Sequence, residues 1–170
     1  VRSQPGQGCV FELGLPAADE SAASDAPSPM PALPSASESA ATGAAPARVL
    51  YIEDNPVNAL LVIELLRRHA DFELRVAETG AAGLALAAEW QPAVVLIDLQ
   101  LPDIDGLEVH TRLRAMPAMA GAACVALSAD AMAEHVAAAR AAGFDDYWTK
   151  PILFDRFLRD LRGLVSARQP

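Results

Sequence analysis

Five polar side chains stand at or just beyond the ends of apolar runs. Glu53 and Asp54 follow Val49-Leu50-Tyr51-Ile52, and Asp98 follows Ala93-Val94-Val95-Leu96-Ile97. Ser128 closes the run from Ala123, and Lys150 follows Tyr147-Trp148-Thr149. Carboxylates brought together repel, and unless a cation neutralises them the crowding raises at least one pKa. A hard, oxygen-seeking divalent ion such as Mg2+ is the natural occupant of such a cluster. An acid after a strand can instead cap the next helix or face water. That reading explains one Asp well, but it explains three acids at two strand ends poorly. Lys150 is the only lysine in a chain with 13 basic residues, the others being arginine. An ammonium on a flexible stem suits an anionic oxygen, such as that of a phosphoryl group, met as a point charge rather than by a bidentate fork.

These residues converge only if the runs that carry them lie side by side. Apolar runs at 49–52, 93–97 and 123–127 and a mixed run at 72–77 predict strands, with a short last strand at 147–149. Helical patterning falls near 56–69, 80–90, 106–115, 131–142 and 152–165. Strands alternating with helices predict an α/β fold, a doubly wound five-stranded parallel sheet with five helices covering both faces. The unbroken apolar run before Asp98 fits a central strand. Such sheets bind ligands at the carboxyl ends of their strands, near the switch in strand order.

The remaining composition limits the function. The 170 residues suit one ordinary domain plus a remainder. The 52% apolar content includes 36 alanines, which leaves enough larger side chains for one core. The best apolar run, Ala59 to Leu66, is broken by Glu64 and falls far short of the roughly 20 residues that span a bilayer, so no membrane contact is expected of this chain. A net charge of -9 would repel a nucleic-acid backbone. Cys9 and Cys124 are far apart and lack metal or redox spacing, which fits reduced thiols in the cytoplasm. The opening residues have neither an initiator Met nor a signal-peptide layout, which predicts a start inside a longer polypeptide.

Residues 17–47 are rich in Ala, Pro and Ser, with acids but no base, and Met30 and Leu33 are the only large apolar side chains. This composition predicts a disordered linker, because little burial offsets an ordering entropy of roughly 1–2 kcal/mol per residue. Before it, Gly6-Gln7-Gly8 followed by Phe11, Leu13 and Leu15 at period two predicts a turn leading into one strand.

The motifs in residues 48–166 resemble the receiver (response regulator, CheY-like) domain family. Val49 to Asn55 resembles its acidic-pair strand, and Val94 to Gly106 its phosphoacceptor strand and loop. Ala126-Leu127-Ser128-Ala129 resembles its hydroxyl strand, and Thr149-Lys150-Pro151 its lysine motif. The intervals of 44 residues from Asp54 to Asp98, 30 to Ser128 and 22 to Lys150 also agree. The resemblance implies a flavodoxin-like sheet of order 2-1-3-4-5. It also implies a nucleophilic Asp98 that takes a phosphoryl group from phosphohistidine as an acyl phosphate. Asp54, Asp98 and the backbone carbonyl of Gln100 would bind Mg2+ directly, and Glu53 chiefly through water. Ser128 and Lys150 would each meet a phosphoryl oxygen. Tyr147 holds the place of the family's aromatic switch, and Lys150-Pro151 that of its cis peptide. Ser128 in place of Thr, Leu101 in place of Met and Gln100 are mild departures from the pattern.

Residues 1–16 resemble the end of a histidine kinase ATP-binding domain, with Gly6-Gln7-Gly8 as its last glycine-rich box. Together with Asn55-Pro56-Val57-Asn58, this implies a hybrid sensor histidine kinase as the parent, whose anchoring in a membrane stays open. The implied partner is a histidine-bearing helical bundle or phosphotransfer domain, and the fragment is not itself a kinase. Seven of the eight residues Ala59 to Leu66 are apolar, a stripe wide enough either for a docking surface or for tight packing on the last helix. His69, His110 and His135 read as surface residues, and Arg112, Arg114, Arg156, Arg159 and Arg162 as solvated faces. Phe144, Trp148, Phe154 and Phe157 read as mainly core. The alternative to a working receiver is a pseudo-receiver, an interaction module without phosphotransfer; the intact set of Glu53, Asp54, Asp98, Ser128 and Lys150 argues against it.

Overall fold

The computed structural model describes residues 2–4, 8–10 and 45–168. The chain divides into two units, Val1–Thr42 and Gly43–Pro170. In the first, β1 (Arg2–Gln4) pairs antiparallel with β2 (Gly8–Val10), and Ser3 stands opposite Cys9. Sequence reading predicted neither strand. The strand expected over Phe11 to Leu15 and most of the expected linker lie outside the described residues.

In the second unit, the strands are β3 (Ala47–Ile52), β4 (Phe72–Ala77), β5 (Val94–Asp98), β6 (Ala123–Ser128) and β7 (Asp146–Thr149). They form one parallel sheet of order β4-β3-β5-β6-β7, which is the expected 2-1-3-4-5 arrangement of a flavodoxin-like fold. The connecting helices are α1 (Pro56–Leu66), α2 (Gly80–Trp90), α3 (Gly106–Arg114), α4 (Ala133–Ala141) and α5 (Phe154–Ser166). A 3-10 turn at Pro117–Met119 precedes β6.

Strand periodicity divides the core in two. Leu50, Ile52, Val95, Ile97, Cys124, Ala126 and Tyr147 pack with Ala87, Trp90, Val109, Leu113 and Ala139 from α2, α3 and α4. Val49, Tyr51, Val94, Leu96, Val125, Leu127 and Trp148 meet Val62, Leu66, Phe157 and Leu161 from α1 and α5. The central β5 is buried throughout, as its apolar run requires.

The helix boundaries follow local chemistry. Asn55 caps α1 by accepting from the Val57 N–H at 2.9 Å, and Pro56 fits the first helical position because it has no N–H to satisfy. The helix stops at Leu66, before the expected 69, because Arg68 and His69 donate to carbonyls three residues back, a tighter turn. Thr79 caps α2, and Asp105 caps α3 by accepting from Leu107 N–H at 2.8 Å. Gly83 lets α2 sit on β3, since a Cβ there would come within 2.3 Å of Ile52 Cδ1.

One expectation fails outright. His110 is only 1% exposed and stacks on Phe144 with ring centroids 4.1 Å apart. Its charged surroundings in sequence fit a surface residue, but the buried positions of α3 are 106, 109, 110 and 113, a helical stripe that includes His110. Arg114 is half-buried as well, donating to Ala122 O at 2.9 Å and Asp145 Oδ2 at 2.7 Å. The other two histidines, His69 and His135, are not buried. Phe144, Trp148 and Phe157 are core residues, whereas Phe154 is largely exposed.

Candidate phosphoacceptor site

The parallel register carries the five polar residues to one edge of the sheet. Glu53 extends the β3 ladder, its N–H donating to Ala77 O at 3.0 Å. Asp98 is the last residue of β5 and stands in register with Leu127, one residue before Ser128. The Lys150 N–H donates to Ser128 O at 2.8 Å, which fixes the lysine beside the end of β6. The Lys150-Pro151 peptide is cis, as expected. Gly106 brings α3 against this edge: a Cβ there would lie 2.4 Å from Asp98 O and 2.7 Å from Leu99 Cα.

Glu53, Asp54 and Asp98 each offer a carboxylate oxygen, and these atoms all lie within 4.8 Å of one another. Glu53 and Asp98 are buried and Asp54 is exposed, so the cluster is closed below and open above. Lys150 Nζ donates to Glu53 Oε2 at 2.6 Å and to Asp98 Oδ2 at 2.7 Å. The lysine is thus a cation that offsets the expected crowding. Burial pushes the Glu53 carboxyl up, but hydrogen bonds from Lys150, Tyr51 and Asn58 outweigh it and hold the group below the usual carboxylate range. Burial likewise pushes Lys150 down, and its bonds to Asp98 and Glu53 reverse that and raise it.

The other expected residues surround this pair. Asp98 Oδ1 accepts from the Gln100 N–H at 2.9 Å, which orients the carboxylate. Ser128 is buried and its Oγ accepts from the Asp130 N–H at 3.1 Å, so its hydroxyl belongs to the loop that follows β6. Tyr147 is also buried, and its hydroxyl donates to Asp130 O at 2.6 Å. The aromatic and the hydroxyl residue are therefore tied to the same loop residue.

Two contributors went unnoticed in the sequence. Tyr51 donates to Glu53 Oε2 at 2.5 Å, and Asn58 Nδ2 donates to Glu53 Oε1 at 3.0 Å. Strand alternation held the signal for Tyr51, a phenol in an otherwise aliphatic run two residues before Glu53 and hence on its face. Asn58 projects from the first turn of α1, where only the packed helix shows which acid it meets.

A family description, the response regulator receiver domain, matches residues 49–162. The transcriptional regulatory protein KdpE of Mycobacterium tuberculosis is 41% identical over 118 residues, covering 69% of this chain and 50% of that protein. The polar-differentiation response regulator DivK of Brucella anthropi is 32% identical over 121 residues, covering 71% of this chain and 98% of that protein. The chain spans about half the length of the KdpE, TcrX and PrrA regulators it matches. Among solved structures, the receiver domain of the sensor histidine kinase PA1611 from Pseudomonas aeruginosa, with a magnesium ion coordinated in its active site cleft, superposes with a TM-score of 0.66 at 26% identity. It covers 72% of this chain and 99% of that one. Vibrio cholerae CheY4 shares the fold with a TM-score of 0.66 at 23% identity, covering 71% of this chain and 99% of that one.

Proposed function

This chain belongs to the response regulator receiver domain family of two-component signalling, and from that premise we propose that Asp98 accepts a phosphoryl group from a phosphohistidine. The observation that carries the reading is the placement of Lys150 Nζ between Glu53 and Asp98, with Asp54 completing a three-carboxylate cluster. Neutralised acids around one buried nucleophile suit attack on a phosphorus atom that carries negative charge of its own.

The residues fit Mg2+. Three oxygen donors converge on one open position, which is the chemistry a small hard cation selects. Glu53, Asp54, Asp98 and the Gln100 carbonyl would hold it, Glu53 through water. When bound, it neutralises charge on the transferring group and favours in-line geometry. An Asp98 oxygen forms the new O–P bond as the donor's P–N bond breaks, and the electron pair returns to the imidazole ring. Lys150 then pairs with one phosphoryl oxygen and the Ser128 hydroxyl donates to another. A shift of Ser128 toward that oxygen would pull on the loop to which Tyr147 is tied, and so link phosphoryl charge to the α4 and β7 surface.

We assign the chain to a hybrid histidine kinase, with residues 1–16 as the tail of the ATP-binding domain, 17–47 as linker and 48–166 as the receiver. The sensor kinase receiver PA1611 among its relatives supports this origin, as does Asn55-Pro56-Val57-Asn58. Working in the cytoplasm, the domain would relay the phosphoryl group or regulate its kinase. Its partner would be a histidine-bearing helical bundle docking on α1, where Val57, Leu60 and Leu61 are exposed. The deciding experiment incubates the chain with Mg2+ and a small phosphodonor such as phosphoramidate and follows intact mass. A Mg2+-dependent gain of one phosphoryl group, absent from Asp98→Asn, is expected. A folded chain that gains none would instead be a pseudo-receiver.

A further inference from the structure

The Tyr51 side chain lies fully buried in β3 among aliphatic neighbours, where a hydroxyl is costly unless it is paired. Its one hydrogen-bond partner among the described residues is the Glu53 carboxylate. Tyr51 OH and Lys150 Nζ donate to the same oxygen, Oε2, at 2.5 and 2.6 Å. The other oxygen accepts from Asn58 Nδ2 at 3.0 Å and from the Asn55 N–H at 3.3 Å. Glu53 therefore takes four hydrogen bonds from the protein, and the two shortest share a single atom.

We propose that Tyr51 is a positioning residue of the phosphoacceptor site: by sharing Glu53 Oε2 with Lys150, it sets how firmly Glu53 retains the lysine and how much charge Glu53 presents to a cation. This rests on the reading above, in which Lys150 leaves the carboxylates for a phosphoryl oxygen. Hydrogen bonds to an ionised acceptor are strong, and each donor on Oε2 lowers the charge felt by the other. Phenylalanine at 51 keeps the ring and removes only the donor. Lys150 then becomes the sole donor to Oε2. With a divalent cation taken up beside the lysine and not in its place, two effects of opposite sign follow: the unshared charge draws the cation more strongly, and the lysine is released less readily.

The test compares Tyr51→Phe with the unchanged chain in three measurements. Calorimetry gives the Mg2+ dissociation constant. Intact mass gives the phosphorylation rate constant with phosphoramidate at saturating Mg2+. Acylation of Lys150 in EDTA, located by peptide mass, needs neither metal nor phosphoryl group and reads one site, since this is the chain's only lysine. Tyr51→Phe is expected to bind Mg2+ about threefold tighter, to accept the phosphoryl group about three- to tenfold more slowly, and to acylate at Lys150 more slowly. Mg2+ affinity and rate that stay unchanged, or that weaken together as loosened packing would make them, overturn the proposal. Unchanged Lys150 acylation overturns it independently of any phosphoryl chemistry. An unchanged chain that takes no phosphoryl group while Lys150 acylation still responds to Tyr51→Phe overturns the phosphoacceptor reading instead, and with it a role for Tyr51 in the reaction.

Discussion

The Lys150 ammonium lies 2.7 Å from the Asp98 carboxylate and 2.6 Å from that of Glu53, so a single cation holds together two buried acids from different strands. A divalent ion at the same acids would compete with it for their charge. The site thus has two ways of being neutralised, and the lysine supplies the one present before any metal binds.

Replacing Lys150 by methionine separates these two. The Glu53 side chain has no exposure, and removing the partner of a buried charge costs about 3 kcal/mol or more. In EDTA, Lys150→Met is expected to lose stability on that scale by urea unfolding. Adding millimolar Mg2+ should recover most of the loss, and the variant should bind Mg2+ more tightly than the unchanged chain because the competing cation is gone. Phosphorylation should still slow by at least about tenfold, since no ammonium meets the phosphoryl oxygen. Stability that ignores Mg2+ would show that the acids are not a cation site.

Gly106 tests how closely α3 must approach Asp98. A methyl group there would meet Asp98 O at 2.4 Å and Leu99 Cα at 2.7 Å, both backbone atoms that cannot rotate away. Gly106→Ala is expected to destabilise by about 2 kcal/mol or more in urea, in the range found for overpacked positions. Backbone amide shifts should change most at residues 98–107, and a variant as stable as the parent would contradict the close approach.

Why the sequence revealed the sheet and not the whole site is visible in particular residues. Apolar runs reveal β5 and β6 because strands buried on both faces cannot alternate, and the register alone brings the polar residues that end them, Asp98 and Ser128, to one edge. The reach of a side chain across the site is set by packing. That is why Asn58 on α1 and the loop hydrogen bonds of Ser128 and Tyr147 needed coordinates. The burial of His110 is hidden for a different reason: neighbours in sequence are not neighbours in space, and the helix turns residue 110 from the charged side toward Phe144. The β1 and β2 pair is too short, at three residues each, to show a period.

Asp145 forms a second charged junction, away from the carboxylate cluster. It accepts from Arg114 at 2.7 Å, Arg168 at 2.6 Å and the Cys124 N–H at 2.8 Å, tying the ends of α3 and α5 to β6. Burial pushes its carboxyl up, but the Cys124 N–H and the two guanidinium groups overcome this and hold it below the usual range. A group with a depressed folded pKa stabilises above its unfolded value, near 3.9, and loses that contribution as pH falls through the folded value. Asp145→Ala is therefore expected to cost about 1–3 kcal/mol at pH 7, largely from the orphaned Cys124 N–H and the unpaired arginines. The difference from the parent should shrink below about pH 4. Urea midpoints at pH 7, 5 and 3 check both parts, and a difference independent of pH would exclude the ionised pair as its source.

His110 gives stability a dependence on pH nearer neutrality. Burial and the Arg114 guanidinium lower its pKa below the ordinary 6.5, against an opposing pull from Asp145 and the nearby Gly143 backbone. Arg114 Nε donates to His110 Nε2 at 3.2 Å, which places the proton of the neutral ring on Nδ1, a buried atom that nears the Gly143 backbone without reaching hydrogen-bond geometry with any described residue. Below about pH 6.5 the unfolded chain takes up a proton that the folded chain refuses. The His110 contribution to stability is thus complete above that value and declines as pH falls toward the folded pKa. His110→Phe keeps a ring stacked on Phe144 and removes both the titration and the unpartnered Nδ1–H. Arg114 keeps its bonds to Ala122 and Asp145. The variant is expected to match the parent within about 1 kcal/mol at pH 7.5 and to gain on it progressively at pH 6.5 and 5.5, as read from urea midpoints. His69 and His135 are present in both proteins, so the widening difference belongs to His110 alone. Parallel pH profiles would mean that the buried ring takes up its proton as readily folded as unfolded.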